Sequence, residues 1–277
     1  LSLNHSLKNL DIGENEIEKL DLSNNAELVS VDASFNPLHS LILPECPNLE
    51  VLEFEHTGIN NIDVSQFKAL KVLNATATEL TSLDVSMLSN LEKLSIRYTD
   101  ISEIDLTQNT ALKILIVDET RLTSIDPSIF PDLEELYITG IPVGQLDLSK
   151  NPKLQWLLAS GCNLSTLDLS HNPNLEKLLL AGNNLTELDL SHNPKLNYVD
   201  LLNNSLTQIN VSHNPELESL TISNNKLTEV DVSHAPKLNY LELQDNSITQ
   251  LDLSHNSVLT PGAVFYSGNP LAPEDIK

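Results

Sequence analysis

The sequence predicts a mostly β solenoid, with a parallel sheet on the concave side of a horseshoe or arc, short strands or turns on the convex side, and almost no helix. Three observations carry this reading. Leu7, Leu28, Leu49, Leu70, Leu91, Leu112, Leu133, Leu154, Leu175, Leu196, Leu217, Leu238 and Leu259 recur every 21 residues without a slip. A fixed period of this size means one supersecondary unit stacked on itself. Within the unit, apolar residues keep fixed offsets, as in Leu175, Leu178, Leu180 and Leu185 around Asn183. The other half, Leu188-Asp189-Leu190-Ser191-His192-Asn193-Pro194, alternates apolar and polar and ends on a Pro that has no backbone donor. So short a coil leaves little room for an outer helix. The whole chain, 1–277, reads as a single domain of about twelve coils from Leu7 to Val258, with partial coils at both ends.

Each element has a reason. The apolar residues of the first half face inward along a strand, and their neighbours point out of the sheet. Asn15, Asn36, Asn183, Asn204, Asn225 and Asn246 form an internal ladder. A buried Asn can satisfy backbone groups of its own turn and of the next coil. Between them the same position reads Thr57, Thr78, Thr99, Thr120, Ile141 and Cys162. Thr replaces part of that bonding and Ile141 none, so distortion is expected around Gly140-Ile141-Pro142. Near the end, Val264 to Leu271 reads as one more strand displaced by two residues, followed by polar Ala272 to Asp275.

The first half, L-x-x-L-x-L-x-x-N-x-L, resembles the leucine-rich repeat, and the resemblance covers almost the whole chain. The 21-residue length with its L-T-x-L-D-(L/V)-S outer half resembles bacterial surface repeats of the internalin type. Some of that family carry Cys in an internal ladder. Here only Cys162 holds such a place, so the match to that subgroup is partial. The resemblance implies a recognition domain that is extracellular or at the cell surface.

The chain carries a formal net charge of −24 with 15 Lys and Arg and a pI near 4.4. Nucleic acid is not an expected partner, because phosphate neutralisation needs clustered cations. No apolar run is long enough to insert in a membrane. Cys46 and Cys162 lie more than five coils apart, roughly 25 Å at one strand spacing per coil, too far for a disulfide. Leu1 to Asn4 fits the outer half of a preceding coil, so the sequence reads as a piece of something longer.

Outward positions of the sheet show a pattern. Early coils carry Asp11, Asp32, Glu53 and Glu55, and late coils Asp200, Glu242 and Gln244. The middle coils carry Ile114, Ile116, Tyr137, Trp156, Leu158, Leu179, Tyr198 and Leu202. Contiguous exposed apolar area marks interaction sites, and Trp and Tyr are favoured anchors. Scattered apolar residues on a surface are also normal. The sharing of one face by adjacent coils favours a binding patch, with acidic flanks to steer a basic partner.

Two further ladders stand out. His171, His192, His213, His234 and His255 could in principle hold zinc or sense pH. A row on a convex face diverges, however, whereas zinc wants about four converging ligands, so these read as copied turn residues and no metal is expected. Asp21, Asp63, Asp84, Asp105, Asp126, Asp147, Asp168, Asp189, Asp231 and Asp252 would repel along the stack unless bonded locally, and a Ser two residues on can serve. Calcium is the sharper alternative, but the G-G-x-G-x-D pattern is absent. No catalytic motif or cofactor signature is present. The N-x-S/T triplets, as at Asn184, follow from the repeat text and imply no glycosylation.

The sequence therefore predicts a non-enzymatic module that recognises a protein or peptide through the concave face around Trp156, as part of a larger surface or secreted protein. A glycan ligand ranks lower. The module is expected as a monomer or as a dimer through that face. The alternatives are a passive spacer or adhesin stalk, and the recognition domain of a cytosolic effector enzyme whose catalytic part is absent.

Overall fold

The computed structural model describes residues 1–272 and 275–277, so Pro273 and Glu274 of the expected polar tail lie outside the described residues. The chain falls into two compact units, Leu1–Ile125 and Asp126–Lys277. Both are parallel-sheet solenoids, as the period requires.

In the first unit, three-residue strands β1 (Asn9–Asp11), β3 (Ser30–Asp32), β5 (Val51–Glu53), β6 (Val72–Asn74), β7 (Lys93–Ser95) and β8 (Ile114–Ile116) pair in parallel with a 21-residue register, for example Leu52 with Leu73. On the outer side β2 (Lys19–Asp21) pairs with β4 (Ser40–Ile42). In the second unit, β9 (Glu135–Tyr137), β10 (Trp156–Leu158), β11 (Lys177–Leu179), β12 (Tyr198–Asp200), β13 (Ser219–Thr221), β14 (Tyr240–Glu242) and β15 (Val264–Phe265) follow the same rule. The last strand pairs Leu241 with Val264, a step of 23 residues, so the expected displacement by two is present. The outer side of this unit is turns, plus the isolated parallel bridge of Leu251 with Ile276. Among the described residues no α-helix occurs; 3-10 turns include Pro127–Ile129 and Pro261–Ala263.

Each coil contributes the same buried set. Leu28, Leu49, Leu70 and their equivalents to Leu238 are buried, whereas Leu7 and Leu259 in the end coils are only half-buried. The inner Asn ladder behaves as its chemistry dictates. Asn204 Nδ2 donates to Leu180 O of the preceding coil (3.0 Å) and to Leu201 O of its own (3.1 Å), while its Oδ1 accepts from Leu185 N (3.1 Å). Asn269 repeats this after the displaced strand, bonding Leu243 O and Ile248 N. Thr57, Thr78, Thr99 and Thr120 keep only the bond within their own coil, to Phe54, Ala75, Ile96 and Val117 O. Cys162 Sγ takes over the inter-coil bond, 3.2 Å from Ile138 O.

Ile141 can do none of this, and Leu122 N, the amide a ladder Asn there would hold, has a 3.4 Å bond to Thr120 Oγ1 instead; the next turn is also rebuilt. Val143 N donates to Ile141 O and Gln145 N to Val143 O, both 2.8 Å, two successive three-residue turns. Gly144 between them sits at φ 69°. The equivalent amides elsewhere, such as those of Leu185, Leu206 and Leu227, are held by the ladder Asn of the following coil, and for Val143 that place is taken by Cys162. We expect the Val143 amide to exchange about tenfold faster or more than those of Leu185, Leu206 and Leu227, the worth of one buried hydrogen bond. Equal protection in a hydrogen-exchange experiment would show that the missing Asn costs nothing.

A second ladder lies on the outer side. Asn25, Asn109, Asn151, Asn172, Asn193, Asn214 and Asn256 are buried. Each donates Nδ2 twice to carbonyls of the coil before it; Asn172, for instance, bonds Leu148 O (3.1 Å) and Asn151 O (2.9 Å). The sequence showed these only as the Asn of S-x-N-P, which reads as turn chemistry. Cys46 occupies the same place in its coil, with Sγ 3.7 Å from Asn25 O. Both cysteines are thus buried and free, each standing in for an Asn of a different ladder. Burial pushes the Cys162 thiol up to about 11. Alkylation of Cys162 at neutral pH should therefore be slow in the folded protein and fast on unfolding, which mass spectrometry after a thiol pulse would read. Immediate labelling would contradict the buried placement.

One turn position is unusual. The residue before each inner-ladder position adopts left-handed backbone throughout. In the second unit it is Gly140, Gly161, Gly182, Asn203, Asn224 or Asp245, types that tolerate this conformation. In the first unit it is Glu14, Phe35, His56, Ala77, Tyr98 or Glu119, at φ between 52° and 56°. A residue with a Cβ loses about 1–2 kcal/mol there.

Candidate functional site

The sheet period puts alternate strand residues on the outward face. In the second unit, Leu158 of β10 is in register with Tyr137 of β9 and Leu179 of β11, so three apolar side chains form a continuous row. The parallel row runs Glu135, Trp156, Lys177, Tyr198. Tyr137, Trp156, Leu158, Leu179 and Leu202 are half-buried and Tyr198 is exposed. Leu202 follows β12 and holds Gly182 N through its carbonyl. Ile114 and Ile116 are half-buried on β8 of the first unit, in register with Lys93 and Ser95.

The polar neighbours fix these rings. Tyr137 donates its hydroxyl proton to Glu135 (2.8 Å). Lys177 Nζ sits 4.0 Å from the centre of the Trp156 ring, a cation–π contact between adjacent coils. Sequence reading missed this contact, because the two residues become neighbours only through the 21-residue register. Asp200, closing the apolar row, accepts from Leu202 N, and burial raises its carboxyl above the usual range. Tyr240 donates to Glu242, and that bond pushes its phenol up to about 12.

The acidic flank in the first unit is also in register: Asp11, Asp32 and Glu53 stack on consecutive strands. Burial first, and then Asp32, raises the Glu53 carboxyl. These carboxylates carry the field that attracts cations to that stretch of sheet.

The outer ladders resolve into local bonding. Asp189 Oδ1 accepts from Ser191 N at 2.8 Å, and every other member of the Asp ladder from Asp21 to Asp252 does the same with Ser or Thr two residues on. Asn210 fills the gap in the row with the same bond to Ser212 N. His171, His192, His213, His234 and His255 are exposed, each with Nδ1 3.0–3.1 Å from the preceding Ser hydroxyl. Among the described residues no cluster of three or more His, Cys, Asp or Glu could hold a metal ion.

What the stacked coils present is an open sheet face on a rigid repeat. A family model described as FBD-associated F-box protein At5g56370, LRR repeats, matches residues 128–266. The chain belongs to the leucine-rich repeat family. Its fold matches the functional domain of InlJ from Listeria monocytogenes, which includes a cysteine ladder, at TM-score 0.84 and 29% identity. That match covers 93% of this chain and 62% of the InlJ domain, so the chain spans less than two thirds of that domain's length. The internalin InlF of the same bacterium matches at TM-score 0.71 and 19% identity, over 97% of this chain and 83% of its own. The ectodomain of the Arabidopsis thaliana membrane receptor kinase GASSHO1/SCHENGEN3, solved in complex with Casparian strip integrity factor 2, matches at 0.80 and 21%, over 98% and 40%. No curated protein matches the sequence.

Proposed function

We propose that this chain is a non-enzymatic recognition module that binds a protein or peptide on its sheet face around Trp156, extracellularly or at a cell surface. The observation that carries the reading is the in-register row Tyr137, Leu158 and Leu179 beside Trp156 and Tyr198. Five apolar side chains on four neighbouring strands form one patch, and the half-burial of the rings keeps them ordered at small entropic cost on binding. Leu202 extends the patch. The likeness to a receptor ectodomain solved in complex with Casparian strip integrity factor 2 supports a binding role. Asp200 and Glu242 at its end favour a partner with basic residues at its rim.

The test is a binding screen against extracellular protein, peptide and glycan panels with wild type and a Trp156→Ala/Tyr137→Ala double variant. A protein or peptide hit should weaken about 100-fold or more in the variant, the size expected for losing two anchor residues. A hit indifferent to the variant moves the site elsewhere, and no hit at all favours a spacer. Sedimentation of the wild type decides whether a second copy occupies the same face.

A further inference from the structure

The first unit carries a second candidate site, away from the sheet face. Four consecutive coils place Phe35, His56, Ala77 and Tyr98 at the same left-handed turn position, where the second unit uses Gly, Asn or Asp. Bulky side chains in that conformation are outliers, and such strain concentrates at sites of function. These rings are also in water: Phe35 is 47% and Tyr98 53% exposed.

Their arrangement forms a slot. Phe35 stacks flat on His56, centroids 4.6 Å apart at 15°, and covers one face of the imidazole. Arg97 lies over Tyr98, 4.6 Å from the ring centre, and is drawn toward the following coil by its 2.8 Å ion pair with buried Asp118. One face of His56 is thus covered by Phe35 and one face of Tyr98 by Arg97, and the small Ala77 stands on the coil between the two rings. An open groove of about 500 Å³ lies along these residues, with Thr57, Gly58 and Glu79 at its rim.

Width and charge select the occupant. Two coil steps separate the walls, roughly 9.5 Å. A flat ring in contact with both walls needs only about 7 Å, so the slot is too wide for an aromatic group and suits a puckered saturated ring. Glu79 disfavours an anion. Arg97, neutralised by its pair with Asp118, already covers one face of Tyr98. The C–H faces of a pyranose match the negative faces of aromatic rings, and its hydroxyls match the Glu79 carboxylate. We infer that the groove over Ala77, between His56 and Tyr98, binds an uncharged hexopyranose unit of a glycan. The site stands independently of the proposed protein-binding face.

The test is NMR titration of the whole chain with methyl glucoside, methyl mannoside and methyl galactoside, alongside tetramethylammonium and N-acetyl-leucinamide. Saturable shifts of the His56 and Tyr98 ring signals with at least one glycoside are expected. Ala77→Leu, which fills the slot, should weaken binding about tenfold or more, with an unchanged melting curve. Should that variant misfold, Tyr98→Ala serves, since it removes an exposed wall. The inference is overturned if no glycoside shifts these rings, if both variants bind as wild type, or if the cation or the leucine amide is preferred.

Discussion

Replacing Asn193 by Ala is expected to lower the unfolding free energy by about 3 kcal/mol, although no ligand or charge is involved. Its side chain donates to Leu169 O (3.0 Å) and Asn172 O (2.9 Å) of the preceding coil. Ala leaves both carbonyls short of a partner in the interior and opens a small void besides. The opposite change tests the same cause. Ala235 stands in this row between Asn214 and Asn256. Ala235→Asn should stabilise by about 1 kcal/mol by restoring two bonds to the coil before it. Urea unfolding of both variants decides the matter. If Asn193→Ala falls within about 0.5 kcal/mol of wild type, the outer ladder is geometry without energy.

The second large effect is on pH. Asp21, Asp63, Asp84, Asp105, Asp147, Asp168, Asp189, Asp231 and Asp252 have carboxyls held below the usual range by hydrogen bonds from the Ser or Thr two residues on. A carboxyl depressed in the fold adds stability that is complete above its unfolded pKa, about 3.9, and is lost as pH falls through the folded value. Burial raises the carboxyls of Glu53, Asp118 and Asp200 instead, so protonation favours the fold at these three. Neutralising part of a net charge of −24 also relieves self-repulsion. Stability should therefore rise from pH 7 toward 5 and drop steeply below about 4. Asn210 shows that an amide keeps the turn, so Asp168→Asn, Asp189→Asn and Asp231→Asn combined should flatten the acid limb without disturbing the coils. A melting temperature that falls steadily from pH 7 to 5, or an acid limb unchanged in the triple variant, would sink this account.

The repeat, the strand positions and the inner Asn ladder were legible because burial forces the same residue type at the same offset in each coil. Distortion was expected at Ile141, where a hydrocarbon stands in the ladder; the turn that is rebuilt lies just beyond it, at Val143 to Gln145, where Cys162 takes the place of the Asn that would hold Val143 N. The outer Asn ladder was not read, since an Asn before Pro is good turn chemistry wherever it lies, and only its depth shows that it bonds between coils. The contact of Lys177 on Trp156 needs residues a full period apart, and the apolar patch alone gave no sign of it. The slot over Ala77 required knowing that one turn position is left-handed in every coil. Gly140, Gly161, Gly182, Asn203, Asn224 and Asp245 spell that requirement in the second unit, and comparing them with Phe35, His56 and Tyr98 would have exposed the exception.

The backbone bonds that join coils, such as Trp156 N to Glu134 O and Ala159 N to Leu179 O, run to the adjacent coil. Pulled from one end, such a stack has no distant clamp to share the load. Within each unit it should yield like a zipper, one coil per event, each releasing 21 residues and lengthening the chain by about 70 Å. In a single-molecule force trace the coil bridged to its predecessor by Cys162 should give way at lower tension than those bracketed by Asn204 and Asn225, making the second unit a graded tether with a soft link at one thiol.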